Sequence, residues 1–273
     1  MCRWLAYSGA PIYLDEVLFK TDHSLIDQSL HALDTINTTN GDGFGVGWYG
    51  SRDLPGVYKD IRPAWNDLNL QALAAQIESP MFLAHVRATT GSAVQRTNCH
   101  PFNHDKWLFV HNGLVNEYAK LRRDLMLAIS PDLFPLIQGT TDSEILFLLA
   151  LTFGMQGDVQ AGLSRMAGFV EQVAAQHGVP DAVQLTLGLS DGESLYAVRY
   201  STARKSRSLF HSADRDATME IAPEAGRFSR DARAIVSEPL NNLQADWVAV
   251  PESSFLAITG GAIRCEPFAP IPP

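Results

Sequence analysis

Cys2 constrains this chain more than any other residue, because loss of Met1 makes it an N-terminal cysteine. One residue then carries a nucleophilic thiol, with a reference pKa of about 8.5, and a free α-amine, with one of about 7.7–8.0. At neutral pH a useful fraction of that amine is unprotonated and can take the thiol proton, directly or through a water. This is the nucleophile–base pair of covalent catalysis compressed into a single amino acid. A cysteine at position 2 is also small enough that the initiator Met1 is usually removed. Taken alone, the residue reads as well as a chance cysteine at a frayed terminus, so the rest of the chain has to decide.

With 273 residues, 46% of them hydrophobic and 19% charged, the chain can bury a substantial core and is not composed like a disordered segment. A formal net charge of −9 argues against a nucleic-acid partner or an anionic membrane surface. Met1–Ala10 holds one Arg and a short apolar run broken by Ser8 and Gly9, which is not a signal-peptide pattern. No uncharged apolar stretch reaches the ~18 residues of a membrane span. The nearest, Ile145–Met155, reads as a buried helix. Three cysteines give no disulfide framework, so a reducing cytoplasmic setting is expected, where a thiol nucleophile persists.

Strand and helix signals alternate without a linker-like stretch until the Pro-rich tail Pro267–Pro273. Strands are expected at Trp4–Tyr7, Phe44–Tyr49, Phe82–Arg87 and Trp107–His111, and helices at Leu25–Ile36, Asn66–Ile77 and Glu117–Ile129. Thr141-Asp142-Ser143-Glu144 has the form of a capping box before the apolar run Ile145–Phe153. An amphipathic helix follows at Val159–His177. Strands return at Gln184–Ser190, Ser194–Tyr200, Ser208–Ser212, Ala234–Ser237 and Phe255–Ile263, with hairpin chemistry at Asp191-Gly192 and Gly260-Gly261. Strands at both ends with helices between suggest stacked sheet and helix layers rather than a βαβ wind.

Four segments can complete an acyl-transfer site around Cys2. Asn40-Gly41-Asp42-Gly43-Phe44-Gly45-Val46-Gly47-Trp48 has the glycine density of a loop that lets backbone approach a ligand. It lacks the spacing of a dinucleotide fingerprint and runs into a strand; a bulged turn and strand is the competing reading. In His85-Val86-Arg87-Ala88-Thr89-Thr90-Gly91, Arg87 closes an apolar strand, and its planar fork suits a carboxylate, with the Thr90 hydroxyl as a further donor. A strand-capping arginine is the alternative. In Val110-His111-Asn112-Gly113, an Asn amide and a glycine N–H can meet one developing oxyanion, donors worth on the order of 3–4 kcal/mol each. Asn-Gly is equally a common turn. Asp142, at the first turn of its helix, stays ionised in the helix dipole and can hold an ammonium, or serve only as a cap-region acid.

Together these segments resemble the class II glutamine amidotransferase family, N-terminal-nucleophile hydrolases with a cysteine nucleophile. The resemblance is carried by Met1-Cys2-Arg3 and by the four segments above, in family order over most of residues 1–155. It implies a four-layer αββα sandwich. It further implies Cys2 as nucleophile, Asn112 and Gly113 as oxyanion hole, and Arg87 and Asp142 as holders of the glutamine α-carboxylate and α-ammonium. His100, in Asn98-Cys99-His100-Pro101, falls where many members carry a site histidine, and with Thr90 it completes the expected substrate contacts.

Two positions depart from the family pattern. Ala88 stands where many members have an aromatic residue, and Gly91 where some have histidine. Both changes open that side of the pocket and favour a γ-glutamyl conjugate over free glutamine. Residues 156–273 read as the second half of the same sandwich, making 1–273 one domain with too little chain for a fused synthase. Ser237-Glu238-Pro239-Leu240, followed by Trp247 and Pro251, resembles the tail of small stand-alone members, among them a γ-glutamyl hydrolase of ergothioneine biosynthesis. The expected activity is hydrolysis of a γ-glutamyl amide through a thioester on Cys2, on a small-molecule substrate and without a cofactor. The alternative is an ammonia-donating or regulatory subunit that acts only with a separate synthase; self-association is also open. His85, His100, His104 and His111 with Cys99 fit no zinc-ligand spacing, so no metal is expected. Trp4, Trp48 and Trp107 read as sheet core.

Overall fold

The computed structural model describes residues 2–30, 39–89, 91–213, 229 and 231–273. In chain order the strands are β1 (Arg3–Tyr13), β2 (Phe44–Trp48), β3 (Gly56–Asp60), β4 (Glu78–Val86), β5 (Phe102–His104), β6 (Trp107–His111) and β7 (Leu114–Val115). They continue with β8 (Val183–Ser190), β9 (Ser194–Ser201), β10 (Phe210–Ser212), β11 (Arg233–Val236), β12 (Trp247–Ala249), β13 (Ser254–Thr259) and β14 (Ala262–Pro267). The helices are α1 (Asp15–Leu18), α2 (Leu25–Leu30), α3 (Leu68–Ala74), α4 (Tyr118–Leu127), α5 (Asp142–Thr152) and α6 (Val159–Gln176).

Period-two alternation sorts the strand side chains into separate core layers. On β1, Trp4 and Ala6 face one way and Leu5 and Tyr7 the other; on β4, Leu83 opposes Phe82 and Ala84. One antiparallel sheet runs β12-β10-β11-β1-β4-β2-β3, and the other runs β14-β13-β9-β8-β6-β5 with β7 on β8. Trp4, Leu83, Leu108, Val110, Leu256 and Ile258 form the layer between them. Leu5, Tyr7 and Phe82 pack outward with Val17, Leu18, Leu25 and Leu70 of α1–α3. Phe109, Leu185, Leu187 and Leu189 pack outward against α4–α6. The result is the expected four-layer αββα sandwich. Strands from residues 156–273 enter both sheets, with β11 against β1 and β8 against β6.

Ser143–Leu151 of α5 are buried without a break, the mark of a helix enclosed on all sides. Thr141 caps it by accepting from the Glu144 N–H at 3.3 Å. Only half of the expected capping box forms. The Glu144 carboxylate turns instead to the N–H groups of Gln138 and Gly139, at 2.9 and 2.8 Å, and fixes the loop before the helix.

Two expectations need correction. The strand expected at Phe255–Ile263 ends earlier, at Thr259, where the expected hairpin turn at Gly260-Gly261, both with positive φ, leads into β14. The Pro-rich tail is not linker-like: Phe268 is buried, and the Ile271 N–H bonds Ser164 O of α6 at 3.1 Å. Leu25–Leu30 of the expected Leu25–Ile36 helix is observed, and its remainder falls outside the described residues.

The alternating glycines of β2 have a packing explanation. Gly45 and Gly47 pair with His85 and Leu83, so they sit on the face toward the second sheet. The segment Cys99-His100-Pro101 crosses that face directly. A methyl group at Gly45 would run into the His100 carbonyl, and one at Gly47 would lie 2.9 Å from Pro101. Gly45→Ala is therefore expected to cost about 1–3 kcal/mol or more, since overpacking against backbone has no cheap relief. Urea unfolding would measure it, and a change under 0.5 kcal/mol, the usual surface range of about that size, would refute the crossing geometry.

Candidate active site

Cys2 sits where it does because β1 begins one residue later, at Arg3. β1 runs antiparallel to β4, so its start lies beside the end of β4, with Arg3 opposite Val86. The chain leaving β4 supplies Arg87, Ala88 and Thr89, and the Cys2 thiol donates weakly to Ala88 O at 3.6 Å. From the second sheet, the end of β6 supplies His111, Asn112 and Gly113. The α5 N-terminus brings Asp142. Two cross-sheet bonds register the sheets at this point: Trp4 Nε1–H to Thr186 O at 3.2 Å, and a His85 Nε2 contact to His111 O at 3.2 Å.

Cys2, Arg87, His100, Asn112, Gly113 and Asp142 all line one cavity of about 70 Å³. A wider cleft of about 610 Å³ adjoins it, sharing Ser92, Leu114, Thr141 and Asp142 and reaching Tyr118 and Arg122. Gly91 borders this cleft, and no atom lies within 4 Å of where its Cβ would stand. That side of the site is open, in line with the departure at this position. Thr90 lies outside the described residues.

Arg87 is buried and does more than face the cavity. Its guanidinium donates to Asp42 O at 3.2 Å, Ser92 Oγ at 2.7 Å and Ala93 O at 3.2 Å, tying two loops together. Of its five N–H donors, Nε–H and one Nη1–H are left for a ligand among the described residues. Asp42 accepts from the Thr89 N–H at 2.8 Å, which pins the turn after β4. The Gly41-Asp42-Gly43 context marks a tight turn, but this side-chain role of Asp42 appears only in the fold.

Asn112 is held by its main chain, which exchanges bonds with Thr186 at 3.0 and 3.2 Å. This leaves the side-chain amide to the cavity. Gly113 has no room for a side chain, because a Cβ would collide with Gln184 O. Asp142 Oδ2 accepts from the Val115 N–H at 2.7 Å, and Oδ1 from the Ser143 N–H at 2.8 Å. The carboxylate is thereby aimed while its residue remains half-buried. His111 is fixed through Ser143 Oγ at 2.9 Å.

Burial dominates the electrostatics. It pushes the Cys2 thiol above its ordinary value, with the Arg87 charge opposing and the Asp142 charge adding. It holds His85 down to about 3 and drops His100 well below the ordinary histidine range, in both cases helped by neighbouring positive charge. The His85 and His100 rings lie 4.1 Å apart and tilted by 32°, with His100 lining the cavity and His85 buried beneath it. Arg87 and Asp142 bring a basic and an acidic side chain to the cavity, joined by Arg207, a cavity residue that sequence reasoning missed. Arg207 lies between β9 and β10, far from every motif, and nothing local marked it.

Two antiparallel sheets packed between helix layers, with Cys2 one residue ahead of the first strand, place the candidate site at the strand ends of an αββα sandwich. The family model for class-II glutamine amidotransferases matches residues 19–270, and the chain belongs to that family. A Saccharomyces cerevisiae protein named probable glutamine amidotransferase DUG3 is 33% identical over 300 residues, covering 98% of this chain and 84% of that protein. The γ-glutamyl-hercynylcysteine sulfoxide hydrolase of Mycolicibacterium smegmatis is 32% identical over 123 residues, 42% of this chain and 52% of that protein. A glutamine aminotransferase class-II domain protein from Silicibacter pomeroyi superposes with a TM-score of 0.76 at 33% identity, covering 99% of this chain and 100% of that one. Among the described residues no helix is long and apolar enough to cross a membrane.

Proposed function

We propose that this chain hydrolyses a γ-glutamyl amide bond through a thioester on Cys2. One observation carries the reading: thiol, Asn112 amide, Gly113, Arg87 and Asp142 share a single small cavity. After loss of Met1, the Cys2 amine takes the thiol proton and the thiolate attacks the γ-carbonyl. Asn112 and Gly113 donate to the oxyanion. The protonated amine passes its proton to the leaving amine, which departs as the thioester forms. The same amine then deprotonates a water that attacks the thioester, releasing glutamate and restoring the thiol.

A glutamyl group presents one carboxylate and one ammonium beyond its reacting carbonyl. Arg87 and Asp142 supply one fixed charge of each sign, and His100 closes the cavity wall. Arg87→Lys is expected to raise KM roughly tenfold to a hundredfold, because hydrogen bonds to a charged partner are worth about 1.5–3 kcal/mol. Steady-state kinetics on a γ-glutamyl anilide would check this alongside a thermal melt, since Arg87 also ties two loops. An unchanged KM moves the carboxylate clamp elsewhere.

The open side at Ala88 and Gly91, together with the hydrolase relative's γ-glutamyl substrate, supports a γ-glutamyl conjugate over free glutamine. We also take the chain to act alone. Turnover by the purified, Met-processed chain is the expected result. Activity that arises only with a co-purified synthase would overturn the stand-alone reading.

A further inference from the structure

Arg3 and Glu238 are buried charges that touch no substrate position in the reading above. Arg3 is 2% exposed and Glu238 3%. The Arg3 Nε–H donates to Glu238 Oε1 at 2.6 Å, and Nη2 pairs with the same oxygen. Its Nη1 donates to the main-chain carbonyl of Cys2 at 2.9 Å. On the far side, His23 Nε2 meets Glu238 Oε2 at 3.1 Å, and His23 Nδ1 meets Asp27 Oδ2 at 3.0 Å. The line thus runs from Asp27, whose side chain is 42% exposed, through His23 at 13%, to the nucleophile's own backbone.

Two features make this more than a stabilising pair. Burying an ion pair carries a large desolvation cost, and a packed apolar pair of the same volume is often as stable, so its stability contribution does not account for it. An imidazole between two carboxylates can donate to both only as imidazolium. The main chain around the relay is also pinned. Trp4 and Ser237 exchange bonds at 3.0 Å, the His23 N–H reaches Leu240 O at 2.9 Å, and Gln28 Nε2 bonds His23 O and Glu238 O at 3.0 and 3.3 Å. The Ser237-Glu238-Pro239-Leu240 motif is the segment that receives these bonds.

We propose that Arg3, Glu238 and His23 form a positioning relay that fixes the Cys2 main chain, so that residues remote from substrate set kcat. The inference rests on the proposed hydrolysis only for its kinetic readout. Asp27 of α2 and Glu238 after β11 face the His23 ring, with Arg3 of β1 behind Glu238. The bond to Glu238 raises the His23 pKa above the ordinary value of about 6.5, with burial opposing and Asp27 adding. A raised pKa means the imidazolium is present below it and lost as pH climbs through it.

The test uses the full Met-processed chain, wild type against His23→Gln, with two readouts across pH. One is kcat and KM on a γ-glutamyl anilide; the other is the rate at which iodoacetamide modifies Cys2, read by peptide mass. In His23→Gln both kcat and Cys2 modification should fall about tenfold near pH 6, within the range a small misplacement costs, while KM stays within about twofold. The deficit should shrink as pH rises, because wild type loses its own imidazolium there. A deficit flat with pH, or a lowered melting temperature with kcat and modification unchanged, overturns the relay. Should His23→Gln fail to fold, Asp27→Asn removes the charge at the more exposed end. It should move the pH dependence of Cys2 modification to lower pH, and an unmoved profile overturns the proposal. If wild type cleaves no γ-glutamyl amide, the hydrolase reading fails while the modification arm still decides the relay.

Discussion

Cys2→Ser is expected to lower γ-glutamyl hydrolysis on the order of 10³-fold or more, the scale on which removal of a nucleophile registers. The α-amine is kept in this variant, so the loss reports the nucleophile alone. A serine hydroxyl is far less acidic than a thiol, so in a site built around the thiol the same amine activates it much less. The fold should not change, because Cys2 precedes β1 and is only half-buried. Glutamate release and a thermal melt on the same preparation test both halves of the claim. Because burial pushes the Cys2 thiol up, the resting cysteine is neutral, and attack waits for the amine. Activity should therefore fall as pH drops through the amine pKa, the proton acceptor being lost. A variant that retains turnover near wild type would remove the thioester from the mechanism.

Asn112→Ala should reduce kcat about 10²–10³-fold with little change in KM, as loss of one oxyanion donor does elsewhere. The physical reason is that the donor acts on charge that develops only in the transition state. The substitution is clean here because Asn112 is held by its backbone bonds to Thr186 and not by its side chain. Asn112→Asp is the sharper control: it keeps shape and places a negative charge against the forming oxyanion, so it should be at least as damaging. A rise in KM at constant kcat would instead make Asn112 a ground-state contact. Single-turnover release of the aniline separates the two cases.

Much of the site was legible along the chain because its chemistry is local. Asn112-Gly113 closes a strand, Asp142 opens a capped helix, and Arg87 ends an apolar run; each sits at a boundary that residue type announces. The order of strands and helices suggested layers, while the division of Trp4 and Leu5 between different cores emerges only in the packing. What stayed hidden depends on contacts between distant segments. The glycines at 43, 45 and 47 resembled a ligand loop, and packing explains them: Gly45 meets the His100 carbonyl, Gly47 meets Leu108 and Pro101, and Gly43 has a positive φ beside Cys99 and Asp60. Glu144 matched a capping box, yet its carboxylate serves Gln138 and Gly139.

Residue types suited to acyl transfer and to binding a zwitterion can be read along the chain, because they follow from side-chain chemistry. Which of them meet is settled by the packing. Arg207 enters the cavity from between β9 and β10, and Glu238 reaches Arg3 across 235 residues. Both pairings arise because antiparallel sheets bring remote strand ends side by side, a proximity set by the packing of two sheets that no local pattern encodes.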